Sequence, residues 1–152
     1  MIVFRLSKSK YSKDLSGSGA EKTGGPWNSK GQALIYTSGS RALCVTEIAV
    51  HTPLGIIPRD YELIGIEVPD SSIISEIRIS YLPPDWKSFP HPSSTQIFGN
   101  DFIASSKYLV LKVPSAVVQG DFNYLLNPKH PDCSKVKIIS TEPFTFDERL
   151  FK

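Results

Sequence analysis

The sequence predicts a single-domain α+β fold with a mixed sheet. Its 152 residues suffice for one hydrophobic core and leave little room for a second. Stretches with the alternating apolar pattern of strands clearly outnumber helical ones. Most links between those stretches are too short to hold the helix that joins two parallel strands, so a doubly wound α/β fold is not favoured.

Seven segments are predicted as strands on the alternation or continuity of their apolar residues. They are residues 2–6, 34–36, 62–68, 74–79, 108–113, 136–140 and 144–146. The segment 108–113 has the strongest strand pattern, and Pro114 ends it because proline donates no ladder hydrogen bond.

One helix is predicted over residues 41–51. Hydroxyl side chains just before it can cap its N-terminus, and Pro53 and Gly55 end it. The segment 16–31 holds five glycines and one proline, which predicts a loop with backbone conformations that other residues avoid. Four prolines between residues 83 and 92 predict a second irregular segment.

The composition, with 40% hydrophobic and 21% charged residues, is typical of a folded globular protein. The N-terminus is apolar for only four residues, Met1 to Phe4, before the charge of Arg5, and no apolar run approaches the roughly 20 residues of a membrane span. We therefore expect a cytoplasmic protein without a membrane anchor. The cysteines, Cys44 and Cys133, lack metal-binding spacing, and Cys44 is predicted as a buried apolar side chain.

The charge pattern bears on the kind of ligand. A net charge of +2 is too small to indicate nucleic-acid binding. The first thirty residues, however, hold six lysines and arginines against two acidic residues. A solvated basic loop and an anionic ligand bound near this segment are both compatible with that excess.

Common nucleotide-binding and hydrolase motifs are absent. The pair Gly17 and Gly19 lacks the third glycine of a dinucleotide-binding loop, and no Walker lysine pattern occurs. A triad of Ser115, His51 and Asp60 is conceivable on paper, but the glycine pattern around a nucleophilic serine is missing. We do not favour a serine hydrolase.

Glu47 is the strongest candidate for chemistry. It lies three or four residues from Leu43, Cys44 and Val50 on a helix that is otherwise nearly all apolar. Burying a carboxylate costs free energy unless a partner compensates for the lost water. The partner could be an arginine such as Arg5 in a structural ion pair. Alternatively, an active site could supply the compensation and use the carboxylate for catalysis, and the sequence around Glu47 leaves both interpretations open.

Several other polar residues are ambiguous when taken singly. Tyr36 could pack its ring in the core, and Ser115 and Asn127 could be turn residues. His51 and His130 have no metal-ligating neighbours at useful spacing, and His51 is interpreted as the C-terminal residue of the helix.

Six segments become distinctive when they are read together and in order. They are Phe4 to Leu6, Gly24 to Asn28, Ile35 to Ser38, Ala42 to His51, Val113 to Ala116, and Asn123 to Pro131. At this spacing they resemble the RES-domain family, which is named for its arginine, glutamate and serine. The resemblance covers about residues 2–135, and the Val-Pro-Ser-Ala and Asn-Tyr-Leu-Leu-Asn-Pro stretches carry most of it.

The resemblance implies an ADP-ribosyltransferase-like fold with a split sheet and flanking helices. It also implies a bacterial growth-inhibiting toxin of a type II toxin–antitoxin system, which consumes NAD as a substrate and needs no prosthetic group. Such toxins break the nicotinamide–ribose bond by hydrolysis or phosphorolysis, or transfer ADP-ribose to a protein. The implied partner is an Xre-type helix-turn-helix antitoxin that covers the active site, with the toxin as a homodimer within a larger complex.

The resemblance assigns roles to individual residues. Glu47 would stabilise the positive charge that develops on the ribose as its bond to nicotinamide breaks. Arg5 would bind the pyrophosphate, and Tyr36 would offer its ring to the nicotinamide. Trp27 and Asn28 would shape the wall of the ligand pocket and contact the ligand there. Ser115, counted among the catalytic residues, and Asn127 would either hydrogen-bond the ligand or position Glu47.

Pro26 departs from the family pattern. Where relatives usually have an arginine before Trp27, this chain has a proline, which supplies neither charge nor an N–H donor. We therefore expect weakened activity. A protein ADP-ribosyltransferase and a non-catalytic antitoxin-binding module are the alternatives to an NAD-cleaving toxin.

Overall fold

The computed structural model describes residues 1–152 and contains seven strands and three α-helices. The strands are β1 (Ile2–Lys8), β2 (Ile35–Ser38), β3 (Tyr61–Glu67), β4 (Ile74–Glu76), β5 (Val110–Pro114), β6 (Phe122–Leu126) and β7 (Lys137–Phe144). The helices are α1 (Ser18–Thr23), α2 (Arg41–His51) and α3 (Ser93–Ser105). Short 3₁₀ segments occur at Ser9–Tyr11, Ile79–Tyr81, Pro131–Lys135 and Glu148–Phe151.

All seven strands form one mixed sheet in the order β4-β5-β6-β2-β1-β3-β7. Only β4 and β5 run parallel, and α3 lies in the connection between them. The α+β class is therefore confirmed. The sheet is split at its centre, because β1 and β2 pair only at Phe4 and Ser38 and then diverge.

Both longer helices pack on the same face of the sheet. Neighbouring strand residues such as Val110 and Leu111, or Leu125 and Leu126, belong to different core clusters, as alternation along a strand requires. On one face, α2 packs over β1 and β3, and α3 packs over β2, β5 and β6. The clusters on this face are Leu6, Cys44, Leu63, Phe146 and Phe151 under α2, and Trp27, Leu34, Ile77, Phe102, Ile103, Leu111, Val113 and Leu125 beside α3.

The predicted helix over 41–51 agrees with α2 at both ends. The Ser40 hydroxyl accepts a hydrogen bond from the Leu43 amide at 3.1 Å, which satisfies one of the unpaired N–H groups of the first turn. Leu43 and Cys44 are the buried residues of this helix. Glu47 lies one turn after Cys44 on this helix, beside the split in the sheet.

Four sequence predictions need correction. The strand predicted over 74–79 ends at Glu76, and the chain turns into a 3₁₀ segment shortly before two prolines that cannot donate to a ladder. The two strands predicted over 136–140 and 144–146 are one strand, β7. Helix α3 and strand β6 were not predicted, and the loop over 16–31 contains the short helix α1.

Candidate active site

A cavity of about 520 Å³ opens where β1 and β2 diverge. Residues from β1, β2 and α2 line it, together with the segment that follows α1 and single side chains from β6 and from the segment before α3. A volume of this size suits a drug-sized or nucleotide-like ligand. The split in the sheet is thus the feature that creates the site.

Glu47 lies on the wall of this cavity, half-buried, one turn after Cys44 on α2. Its Oε1 atom accepts hydrogen bonds from Ser115 Oγ at 3.0 Å and from Asn123 Nδ2 at 2.8 Å. The Oε2 atom has no hydrogen-bond partner in the protein. One carboxylate oxygen is therefore held in place while the other remains available to a ligand.

The ion pair considered between Glu47 and Arg5 is not formed. None of the six salt bridges in the structure includes Glu47. Two neutral donors, a hydroxyl and an amide, compensate for its partial burial instead. Glu47 is thus held by neutral hydrogen-bond donors and has no cation bound to it.

Ser115 holds Glu47 and does not line the cavity itself. It is 2% exposed, and its hydroxyl oxygen accepts from the amides of Val117 and Val118 at 3.1 and 3.0 Å. Because those two donors occupy the lone pairs, the hydroxyl proton is directed to Glu47. Of the two roles that the resemblance implies for Ser115, contact with the ligand or positioning of Glu47, this geometry provides the second.

Asn123 is the site residue that sequence analysis left without a role. It lines the cavity from β6, and its Oδ1 accepts from Ser38 Oγ at 2.8 Å while its amide donates to Glu47. Ser38 and Asn123 face each other in the β2–β6 register. This strand pairing, which the sequence did not predict, places the amide beside the carboxylate.

Arg5 lines the cavity at the point where β1 leaves β2. Its Nη1 donates to the backbone carbonyl of Asp14 at 2.5 Å. Burial lowers the pKa of the Arg5 guanidinium, and the charge of the Asp14 carboxylate partly offsets that effect. Guanidinium groups stay protonated in proteins, so Arg5 is a permanent cation beside the cavity.

Tyr36 presents its ring to the cavity and commits its hydroxyl to the protein. The hydroxyl accepts from the Trp27 amide at 3.0 Å and donates to Asn28 Oδ1 at 2.6 Å. Burial raises the pKa of Tyr36, so the hydroxyl stays protonated. Only the aromatic face of Tyr36 remains for a ligand.

Trp27 forms part of the cavity wall, whereas Asn28 supports the loop that carries Trp27. Trp27 lines the cavity and belongs to the core cluster beside α3. Asn28 is fully buried, outside the cavity lining, and donates to the carbonyls of Ala20 and Gln32 at 2.8 and 2.9 Å. It therefore fixes the loop that carries Trp27.

Helix α3 holds the same loop from the other side. Thr95 Oγ1 donates to the Pro26 carbonyl at 2.6 Å, and Gln96 Nε2 donates to the Gly25 carbonyl at 3.0 Å. At Gly99, a Cβ atom would lie 1.6 Å from the Trp27 carbonyl oxygen, so only glycine fits. Pro26 itself lines the cavity.

Asn127 lies outside the cavity. It is fully buried, donates to the Ile103 carbonyl at 3.3 Å and accepts from the Lys129 amide at 3.0 Å. The bond to Ile103 connects the end of β6 to the last turn of α3, and the bond from Lys129 fixes the turn that follows β6. Asn127 therefore neither lines the cavity nor bonds to Glu47, the two roles that the resemblance implies for it.

Cys44 is 5% exposed, and burial raises its pKa to about 11, which agrees with an inert thiol. No group of three or more His, Cys, Asp or Glu side chains is arranged to hold a metal ion. None of the helices has the length and hydrophobicity needed to cross a bilayer.

Comparisons with known proteins show the family to which this chain is related. Residues 2–147 match the model of the RES domain. The Prs ADP-ribosylating toxin of Sphingobium sp. is 38% identical over 141 residues, which cover 91% of this chain and 88% of that protein. Toxin Res of Pseudomonas putida is 37% identical over 155 residues, which cover 99% of this chain and 100% of the toxin.

A solved structure shares the fold. A chain of the Mycobacterium tuberculosis MbcT–MbcA toxin–antitoxin complex superposes with a TM-score of 0.74 at 20% identity, covering 99% of this chain and 86% of that one. The family model and the curated relatives extend over nearly the whole sequence. The chain therefore belongs to the RES-domain family of toxins.

Proposed function

We propose that this protein is the toxin of a toxin–antitoxin system and cleaves the nicotinamide–ribose bond of NAD in the cavity at the split of the sheet. The observation that carries the proposal is Glu47, a carboxylate with one oxygen fixed by Ser115 and Asn123 and the other without a partner. The name of the Sphingobium relative, an ADP-ribosylating toxin, supports chemistry on NAD.

The proposed reaction breaks the bond between C1′ of the ribose and the nicotinamide nitrogen. The electron pair of that bond leaves with nicotinamide, which becomes neutral and needs no acid. Positive charge develops on the ribose, and the free oxygen of Glu47 stabilises it. An acceptor then attacks C1′ and loses its proton to solvent.

Other residues bind and orient the dinucleotide in this proposal. Arg5 contributes a permanent positive charge for the diphosphate, and the ring of Tyr36 stacks against the nicotinamide. Ser115 and Asn123 are positioning residues, because they act through Glu47. Trp27 shapes the wall.

The acceptor distinguishes the proposed reaction from its alternative. Water or inorganic phosphate would make the protein a glycohydrolase or a phosphorylase, which deplete NAD. A protein acceptor would make it an ADP-ribosyltransferase, the activity named for the Sphingobium relative. We favour depletion of NAD, because transfer to water or phosphate requires nothing beyond the bond cleavage at Glu47, whereas transfer to a protein also requires a docking surface for that protein.

The partners and location follow from the same proposal. A cytoplasmic enzyme that consumes NAD must be inhibited in its own host, and we expect an Xre-type helix-turn-helix antitoxin to do so by covering the cavity. We expect the toxin to be a homodimer within that complex.

Product analysis tests the proposal. The purified protein and its Pro26→Arg variant are incubated with NAD, with and without inorganic phosphate, and with a bacterial lysate. Free ADP-ribose indicates hydrolysis, phosphorylated ADP-ribose indicates phosphorolysis, and a protein heavier by one ADP-ribose indicates transfer. No nicotinamide release by either folded protein would favour a non-catalytic antitoxin-binding module instead.

A further inference from the structure

Two histidines meet at the rim of the cavity. His51 is the last residue of α2, one turn after Glu47, and His91 lies in the segment before α3. Both line the cavity, and their ring centroids are 6.0 Å apart. The ring of Phe89 lies 5.5 Å from His51 and 5.2 Å from His91, so one aromatic side chain contacts both imidazoles.

This pair is electrostatically unfavourable when both rings are protonated, because two positive charges then lie about 6 Å apart. Partial burial lowers the pKa of His91, and the positive charge of His51 lowers it further. A bound anion in contact with both rings would offset both effects. Binding of an anion between the two imidazoles would therefore favour uptake of a proton by the histidine pair.

The other charged residues that line the cavity do not supply enough positive charge for a dinucleotide. Among the lining residues, Arg5 is the only permanent cation and Glu47 the only carboxylate, while Tyr36 and Cys44 are neutral at pH 7. A dinucleotide carries two negative charges on its diphosphate, and one guanidinium neutralises only one of them. The cavity needs a second cationic group if it is to hold such a ligand.

We propose that His51 and His91 form a second anion subsite, which binds a phosphoryl group and takes up a proton as it does so. The inference rests on the proposed function, since it assigns the histidines to the same phosphate-bearing ligand. Affinity for that ligand then rises as pH falls through the titration range of the histidines, because the bound state holds more protons than the free state.

Histidine titration by NMR tests the subsite directly. The imidazole signals are followed from pH 5.5 to 8.5 in the free protein, with ADP-ribose, and with sulfate, at constant ionic strength. Neither ligand ionises in this range. The third histidine, His130, does not line the cavity, and its Nδ1 accepts from the Asp132 amide, so it serves as an internal control.

We expect the rings of His51 and His91 to protonate at higher pH when ligand is bound, and His130 to titrate as before. The dissociation constant of ADP-ribose should be at least about threefold lower at pH 6.0 than at pH 7.5. The double variant His51→Gln/His91→Gln should lose this pH dependence. If only ADP-ribose shifts the titration of the two imidazoles, the subsite binds the dinucleotide. If only sulfate shifts it, the subsite binds a free dianion.

Unchanged titration of both rings with both ligands would overturn the subsite. Retained pH dependence of ADP-ribose affinity in the double variant would also overturn it. In either case, binding of ADP-ribose together with nicotinamide release from NAD would leave the proposed function intact. The two proposals therefore fail on different measurements.

Discussion

At the residue scale, the site depends on polar side chains that fix one another before any ligand arrives. Ser115 has two backbone N–H donors on its oxygen and gives its proton to Glu47, so its hydroxyl has a single orientation. A carboxylate held in this way needs little reorganisation when charge develops on a ligand. The geometry thus gives Ser115 a positioning role.

Replacing Ser115 with alanine should lower kcat for nicotinamide release about tenfold and change KM little, because Glu47 loses an anchor that matters in the transition state. The two amides lose their acceptor, so stability should also fall by about 1–3 kcal/mol. Steady-state kinetics and urea unfolding measure both effects. Ser134→Ala, at an exposed hydroxyl, is the control, and an unchanged kcat in folded Ser115→Ala would contradict the positioning role.

Pro26 is the second residue with a specific expectation. It lines the cavity and has no backbone N–H, and its carbonyl accepts a hydrogen bond from Thr95 that an arginine at this position could also accept. We expect Pro26→Arg to raise nicotinamide release at least about tenfold, or about 1.4 kcal/mol, by adding a cation for the diphosphate. Expression without antitoxin should then harm a bacterial host. Equal, substantial rates in both proteins would show that Arg5 and the other pocket residues suffice.

At the element scale, the two helices on the cavity face differ in how far the sequence determines them. Helix α2 was predicted because its Ser40 cap, apolar pattern and terminating Pro53 all agree. The sequence does not predict helix α3, because its buried residues include Thr95 and Gly99, which have low helix propensity. Packing of α3 against the 25–29 loop nevertheless requires small side chains there.

Gly99 gives that packing a test. In Gly99→Ala the new Cβ would collide with the Trp27 carbonyl, so the loop must move, and we expect a loss of about 1–3 kcal/mol in the free energy of unfolding with a higher KM for NAD. Gly19→Ala is the matched control, since Gly19 lies on α1 with no heavy atom near its Cβ position. Equal stability and KM in the two variants would argue against α3 as the support of the loop.

At the scale of the whole molecule, the site combines side chains from distant parts of the chain. The resemblance identified Glu47, Arg5 and Tyr36, which the structure brings to one cavity. It could not assign Asn123 or His91, because strand pairing and the path of a proline-rich segment bring them there. Tertiary contacts of this kind leave no periodic signal in a sequence.

The proposed inhibition is also a property of the whole molecule. If the antitoxin covers the cavity, its binding and the binding of ADP-ribose must weaken each other by the same factor. We expect saturating antitoxin to weaken ADP-ribose binding by at least about tenfold, measured by calorimetry on the purified complex and the free toxin. Simultaneous binding without mutual effect would exclude inhibition by occlusion.

The central claim, that Glu47 drives cleavage of NAD, is tested most directly by nicotinamide release from Glu47→Gln. The measurement is made in the Pro26→Arg background, with circular dichroism to check folding and with Glu67→Gln, which neutralises an exposed carboxylate on β3, as the control. The amide keeps the shape of Glu47 and loses its charge, so the rate should fall on the order of 10²–10³-fold while Glu67→Gln keeps full activity. A folded Glu47→Gln protein that releases nicotinamide at the unchanged rate would contradict the account.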